Sequence, residues 1–294
     1  MNEFIGLFSL PFVQRMFLAG ILASISCGLI GSLIVVKRVV FLSGGIAHVT
    51  FGGIGMAYYL QYTMSWMWLD PLLGALIFAV LTAGIMSLPV VKSRLREDST
   101  IGVLWVIGMA LGVLFLNAVD RSEIIVQEPV SILFGNILLI QFSDILLMLG
   151  LVVIILLVTS FLFKDFQILT FDEQFAKISG INVSLLNFVL LLLVAFTTVV
   201  LIKVVGVILV IAMLTIPASI SGLFTKELKQ MMIFAVGIGL IITLAGLTLS
   251  LVYNQPPGAT IVLSLGFVFL ISLIGKYLIQ HILNSTENET VRKS

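Results

Sequence analysis

The chain has 294 residues, of which 60% are hydrophobic and only 10% are charged, and its formal net charge is +1 at pH 7. A soluble domain carries about 25% charged residues, so this composition excludes an ordinary soluble domain, and no basic run supports nucleic-acid binding. Cys27 is the single cysteine, which excludes an intramolecular disulfide.

Nine stretches of 17 to 22 residues contain no Asp, Glu, Lys or Arg. The hydrocarbon layer of a bilayer is roughly 30 Å thick, and about 20 apolar residues in a helix cross it, so each stretch predicts a transmembrane helix. The expected fold class is therefore an all-α polytopic membrane protein with about nine transmembrane helices. In chain order the stretches are 16–36, 43–60, 71–91, 101–117, 145–163, 185–202, 204–224, 231–252 and 258–275.

The basic residues predict the orientation of these spans in the cell (inner) membrane. Twelve of the 15 follow odd-numbered spans, whereas Arg15, Arg121 and Lys203 lie on the opposite side. Cytoplasmic loops carry an excess of Lys and Arg. This pattern puts the N-terminus outside and the C-terminus in the cytoplasm, which requires an odd number of spans.

The second span contains His48, the only Asp, Glu, His, Lys or Arg residue at membrane depth. Gly45, Gly52 and Gly55 lie close to the same helical face, at offsets of three, four and three residues. Small residues at this spacing let helix backbones approach closely in lipid. The same bare face would also leave space for a substrate to pass beside the imidazole, so these glycines are candidate path-lining residues.

Three roles are open to His48. It is a metal ligand, a hydrogen-bonding group between helices, or a proton relay, and the last is the weakest because no second acid or histidine lies at depth. A metal would need further ligands from water, backbone carbonyls or a softer group such as Met213. The sequence does not identify these ligands by spacing.

The seventh span contains Pro217, which leaves the carbonyl of Met213 without its helical donor. Thr215 and Ser219 surround this break, and such breaks are tolerated where protein or a water-filled cavity covers the backbone. Two interpretations stay open: a kink that improves packing, and a lining of the transport path.

Two connections are long enough to form structure of their own. The outer segment 118–144 contains an apolar run too short to cross and predicts a re-entrant or interfacial element. In the inner segment 164–184, Thr170, Asp172 and Glu173 predict a helix start and Gly180 a stop, while Phe171, Phe175 and Ile178 fall on one face. This short amphipathic helix either lies on the lipid surface or docks a cytoplasmic partner.

No phosphate-binding loop, zinc-protease motif or nucleophile elbow occurs in the chain. We therefore expect no enzyme activity and no cofactor in this chain. Active transport would need a separate ATPase chain or an ion gradient.

Six segments, taken in order, resemble the permease subunit of a metal-uptake ATP-binding-cassette (ABC) importer of the zinc/manganese/iron type. The likeness covers nearly the whole chain, and the six segments together are far more specific than any one of them. They are PFVQRMFLAGILASISCGLIGSLIVVKRVVFLSGGIAH, REDSTIGVLWVIGMALGVLF, SILFGNILL, FDEQFAKISGINV, KVVGVILVIAMLTIPASISGLF and PPGATIVL.

The resemblance implies a fold similar to the larger cobalamin and siderophore importers. Two permease copies would line one central path, two cytoplasmic ATPases would hydrolyse ATP, and an extracellular binding protein would deliver the metal. A single permease domain would span residues 1–283, with an ATPase-docking segment at about 165–183 and a polar cytoplasmic tail at 284–294. The implied docking residues are Phe171, Asp172, Glu173, Phe175, Ala176 and Gly180.

One position departs from the family pattern, which usually reads F-L-G-D-A-L-S-H here. His48 matches the histidine, whereas Gly44 occupies the position of the aspartate, so a pair of ligands one turn apart becomes a single imidazole. Loss of an oxygen ligand favours zinc over manganese, with iron also possible. The competing functions are an ABC permease of the same architecture for a chelated metal or organic substrate, and a secondary carrier without an ATPase.

Overall fold

The computed structural model describes residues 10–88, 97–120, 135, 137 and 140–293, with the side chains of residues 97 and 282–293 left aside. Within these residues the chain forms helices and short connections. The ten helices are α1 (Pro11–Val36), α2 (Val40–Met64), α3 (Pro71–Ser87), α4 (Glu97–Asn117), α5 (Phe142–Phe161), α6 (Phe163–Phe171), α7 (Glu173–Ile178), α8 (Val183–Phe224), α9 (Leu228–Tyr253) and α10 (Pro257–Lys293).

The all-helical membrane architecture predicted from the sequence is confirmed. Among the described residues, seven helices are long and apolar enough to cross a bilayer, and α3 is a shorter apolar helix of 17 residues. The count of nine spans is not confirmed: seven described helices meet the length and composition expected of a span, α3 is shorter, and the predicted spans 185–202 and 204–224 are the two parts of one interrupted element, α8. The outer element expected at 118–144 lies largely outside the described residues.

Helix α3 ends earlier than the predicted span 71–91. It stops at Ser87, and Leu88 is extended, with φ −65° and ψ 133°. Pro89 follows, and the ring of a proline disfavours helical backbone at the residue before it. The prediction missed this boundary because it weighed only the absence of charge.

Helix α8 is interrupted at Gly206, whose φ of 80° and ψ of 164° are not helical. A straight helix of 42 residues would be about 63 Å long, twice the thickness of the hydrocarbon layer. Instead both ends of α8 lie near the same end of α1: Asn187 lines a groove with Lys37, and Ala218 packs near Val36. The chain therefore reverses direction at the break.

The residues around this break fit closely together. Gly135 has a φ of +71°, and a Cβ built on it would collide with the backbone of Val205 and Gly206. Lys203, predicted to lie between two spans, lies in α8 three residues before the break, where its Nζ is 2.8 Å from Oδ1 of the buried Asp144. This ion pair ties the start of α5 to the reversal in α8.

We expect Gly206→Ala to lower the free energy of unfolding by about 1–3 kcal/mol, since essentially only glycine adopts this backbone conformation. The midpoint of thermal unfolding of the detergent-purified protein measures the effect. Gly150→Ala in α5 is the matched control, because a Cβ there meets open space. Equal midpoints for the two variants would contradict the prediction.

Helix α8 is the centre of the bundle and contacts α1, α2, α3, α5, α6, α7, α9 and α10. Helix α2 packs between α3 and α4, and α1 packs between α8 and α9. Helix α10 continues without interruption to Lys293, so residues 284–293 of the tail predicted at 284–294 have a helical backbone.

Candidate functional site: the α2 histidine and helix α7

Glycines on both partners allow α2 and α4 to approach backbone to backbone. A Cβ built on Gly52 would lie 2.6 Å from the carbonyl oxygen of Gly108, and one on Gly55 would lie 2.8 Å from that of Gly112. Real Cβ atoms do not come this close to backbone oxygens. The glycine face of α2 therefore serves close helix packing, one of the two uses predicted for it.

Helix α2 also packs closely against its neighbours at two other glycines. A Cβ on Gly45 would collide with Ile101 of α4, and one on Gly53 would collide with Gly74 of α3 on another side. In this arrangement the face that was expected to leave space for a substrate is filled by α4. The role of its glycines as path-lining residues stays a prediction.

We expect Gly52→Ala to lower the free energy of unfolding by about 1–3 kcal/mol, because the added methyl group must push the Gly108 backbone away. The midpoint of thermal unfolding of the detergent-purified variant measures this loss of stability. Gly102→Ala in α4 is the matched control, since a Cβ there has no neighbour within 4 Å. A Gly52→Ala variant as stable as this control would show that the two helices can separate freely.

His48 packs against an aromatic side chain of α4. Its imidazole is partly exposed and stacks on the indole of Trp105, with ring centroids 4.2 Å apart and planes inclined by 13°. Phe41 of α2 also contacts Trp105, at a ring-centroid distance of 5.8 Å and with the planes inclined by 43°. A Cβ on Gly44 would lie 3.5 Å from the indole and 3.9 Å from Ile211 of α8, so residues of three helices meet here.

The ligand set available around His48 is small. Nδ1 of His48 is buried and has no hydrogen-bond partner among the described residues. No group of three or more His, Cys, Asp or Glu side chains comes together within the described ranges. A metal ion at this point would take one imidazole nitrogen from the described part of this copy of the chain. Since no cluster of His, Cys, Asp or Glu among the described residues completes its coordination shell, the remaining ligands would be carbonyl oxygens, water, a softer group such as Met213, or groups outside the described part of this chain.

The second half of α8 places the other candidate residues. Met213 and Pro217 are buried, whereas Thr215 and Ser219 are partly exposed. Pro217 packs near Gly239 of α9, and the hydroxyl of Thr215 donates to the carbonyl four residues earlier in its own helix, at 2.8 Å. Pro217 thus occupies the contact between α8 and α9, which matches the packing interpretation. A path-lining role for these four residues stays a prediction.

The predicted cytoplasmic helix is present as α7, and Asp172 begins it. Asp172 Oδ1 accepts hydrogen bonds from the backbone N–H groups of Gln174 and Phe175, both at 2.9 Å, which makes Asp172 the N-cap. Thr170 and Phe171 belong to the preceding helix α6, so their assignment to this helix was wrong. The extended backbone of Asp172 separates the two helices.

The helix ends where the sequence predicted. The N–H of Ile181 bonds the carbonyl of Ala176 at 3.1 Å, and the N–H of Gly180 bonds that of Lys177 at 3.3 Å. This pair of bonds is the Schellman motif, which needs a left-handed residue at its centre. Gly180 supplies it with a φ of +81°.

One side of α7 packs against the bundle, and the other side is exposed. Ala176 is fully buried, whereas Phe171, Phe175 and Ile178 are 60%, 56% and 84% exposed. The carboxylate of Glu173 lies 3.9 Å from Lys37 Nζ at the end of α1. The apolar residues therefore face away from the bundle.

A polar groove of about 580 Å³ lies beside this segment. The turn between α1 and α2 forms one wall, and α6 and the start of α7 form the other. Asn187 Nδ2 of α8 reaches Glu173 Oε1 at 3.4 Å. The groove is lined by Val36, Lys37, Arg38, Val39, Leu169, Thr170, Phe171 and Glu173.

Sequence analysis missed the contribution of α4 to the site. Trp105, Gly108 and Gly112 recur at offsets of three and four, so they lie on one helical face. A pair of glycines four residues apart in an apolar helix is a signal for close packing. The same test that singled out α2 would have found this face.

The residues of this chain match a known transport family. Residues 9–276 match the sequence profile of the ABC 3 transport family. A "Probable metal transport system membrane protein" of Chlamydia pneumoniae is 36% identical, over 92% of this chain and 90% of that protein. A "Manganese transport system membrane protein MntC" of Halalkalibacterium halodurans is 31% identical, over 90% of this chain and 88% of that protein.

The fold agrees with a solved structure. A chain of "PsaBC from Streptococcus pneumoniae in complex with Fab" superimposes with a TM-score of 0.78 at 30% identity, and the match covers 92% of this chain and 94% of that one. The resemblance drawn from the six segments is thus confirmed. The chain belongs to the ABC 3 transport family.

Proposed function

We propose that this chain is the permease subunit of an ATP-driven importer that moves a divalent transition metal ion into the cytoplasm. The observation that carries the proposal is His48, an imidazole within an apolar span whose buried Nδ1 has no hydrogen-bond partner among the described residues. Ionisable side chains inside a membrane are costly and mark ion pathways. Neutral imidazole is a common ligand of transition metal ions.

Zinc is the ion we propose as preferred. Imidazole suits zinc, whereas manganese favours oxygen ligands, and Gly44 offers no side-chain oxygen one turn before His48. The relative from Halalkalibacterium halodurans is named for manganese, which makes manganese the main competitor. Iron is the third candidate.

The proposed ATPase contact follows from an exposed surface of the bundle, and the other proposed partners follow from the resemblance to the family. The exposed face formed by Phe171, Phe175 and Ile178 would dock the cytoplasmic ATPase, which binds and hydrolyses the ATP. A second permease copy would complete the central path, and an extracellular binding protein would deliver the metal. In this arrangement the protein is a multi-pass protein of the cell (inner) membrane, with its N-terminus outside and its C-terminus in the cytoplasm.

Transport assays on the reconstituted importer test the proposal. Proteoliposomes containing this chain and its partner ATPase, supplied with the partner binding protein, should accumulate radiolabelled zinc only when ATP is present. Manganese, iron and a chelated metal are tested as competitors. Uptake driven by an ion gradient without ATP would indicate a secondary carrier, and uptake of only the chelate would contradict a free-ion substrate.

A further inference from the structure

A histidine that binds a metal ion must present a ring nitrogen in a fixed direction, because the lone pair lies in the plane of the ring. In most metal sites a second contact fixes this plane: the other ring nitrogen donates a hydrogen bond to a carboxylate, a carbonyl or a water molecule. Loss of that contact typically weakens metal binding by about 10- to 100-fold.

His48 has no such bond at Nδ1 among the described residues, although this atom is buried. Its closest described ring neighbour is Trp105, and the two rings are nearly parallel, inclined by 13° with centroids 4.2 Å apart. Stacking of this kind constrains the plane of the imidazole without forming a bond to either ring nitrogen.

The position of Trp105 is itself fixed by the surrounding structure. Gly108, three residues later, packs against α2 so closely that a Cβ on it would lie 2.7 Å from the Cα of Val49. The indole also contacts the ring of Phe41, at a centroid distance of 5.8 Å. Gly44 leaves room for the indole, since a Cβ at this position would already be in van der Waals contact with it at 3.5 Å.

We propose that Trp105 is a positioning residue for His48: its indole, rather than a hydrogen bond, holds the imidazole plane so that a ring nitrogen faces an arriving divalent transition metal cation. The proposal rests on the proposed function and adds a residue to it. It also gives Gly44 a role, because a long side chain at position 44 would push the indole off the imidazole.

Two pairs of variants test the stacking of Trp105 on His48, one pair at Trp105 and the other at Gly44. Trp105→Leu removes the aromatic face, whereas Trp105→Phe keeps it. Gly44→Leu displaces the indole without changing either ring, whereas Gly44→Ala adds only the Cβ that the site accommodates. The Gly44 pair keeps the test valid if Trp105→Leu fails to fold.

Equilibrium binding of Co²⁺ to the purified permease–ATPase complex in lipid nanodiscs is the measurement. Trp105→Leu and Gly44→Leu should bind Co²⁺ about three- to tenfold more weakly, the range expected from one aromatic pair, and Trp105→Phe and Gly44→Ala should stay within about twofold of wild type. A second measurement uses the permease alone in detergent on a Trp66→Phe/Trp68→Phe background, in which Trp105 is the only tryptophan of this chain. Co²⁺ should quench its fluorescence, and His48→Ala should abolish the quenching.

Unchanged Co²⁺ affinity in both leucine variants would overturn the proposal, as would an equal loss in Trp105→Phe and Trp105→Leu, which indicates a role in packing alone. His48→Ala separates this failure from failure of the proposed function. If His48→Ala loses Co²⁺ binding while both leucine variants bind normally, only the role of Trp105 is wrong. If His48→Ala binds Co²⁺ like wild type, both proposals are wrong.

Discussion

Replacing His48 with alanine should reduce ATP-driven zinc uptake by roughly 100-fold or more, while assembly with the ATPase stays intact. The substitution removes the one side chain that we propose as a metal ligand on this path. Loss of even a residue that only hydrogen-bonds a metal ligand typically lowers metal affinity or activity by about 10- to 100-fold. The side chain is not a large core residue: it is partly exposed and makes no hydrogen bond through Nδ1 within the described ranges. Radiolabelled zinc uptake into proteoliposomes measures the effect.

His281→Ala is the matched control for this variant. It is the same substitution at the only other histidine of the chain, which lies exposed in α10. Zinc uptake by this variant should remain close to wild type. Full zinc uptake in His48→Ala, with normal amounts of assembled complex, would remove His48 from the mechanism.

A carboxylate on the bare face of α7 should prevent binding of the ATPase. Phe175 is 56% exposed, so Phe175→Asp should leave the fold intact. If Phe175 is buried in the interface, its burial contributes on the order of 2 kcal/mol to the free energy of ATPase binding. An ionised carboxylate in the same apolar pocket costs still more. We expect the fraction of permease that co-purifies with the ATPase to fall by about 100-fold, and metal uptake to fall with it.

Gln174→Asp provides the matched control on the same helix. It introduces the same charge at the neighbouring residue, which is also exposed but lies off the apolar face. Co-purification should survive this change. Equal loss in both variants would indicate a general effect of negative charge, and no loss in Phe175→Asp would place the ATPase contact elsewhere.

The helical segments were predictable because a single physical demand, the burial of about 20 apolar residues in lipid, determines them. The exceptions arise where backbone geometry matters more than polarity. Pro89 ends α3 inside a stretch that looks uninterrupted by charge. The reversal of α8 at Gly206, by contrast, lies three residues from Lys203, where the sequence predicted a boundary between two spans. Lys203 is tolerated within the helix because Asp144 pairs with it. That partner is 59 residues away, so no local pattern reveals it.

The candidate site was predicted in part. The sequence identified His48 because a lone imidazole in an apolar stretch is conspicuous, and it identified the end of α7 because Gly180 has a local conformational role. It did not reveal that α4 fills the glycine face of α2, nor that Trp105 stacks on His48. Both facts depend on which helices are neighbours, and apolar residues in different helices carry no charge or spacing signal that pairs them.

Zinc K-edge X-ray absorption on the metal-loaded permease–ATPase complex, purified without a histidine tag, is the most direct test of His48 as a metal ligand. We expect the scattering pattern of an imidazole with a Zn–N distance of about 2.0–2.1 Å, and its disappearance in His48→Ala. A spectrum without an imidazole ligand, or one that is identical in wild type and His48→Ala, would contradict metal passage by way of His48.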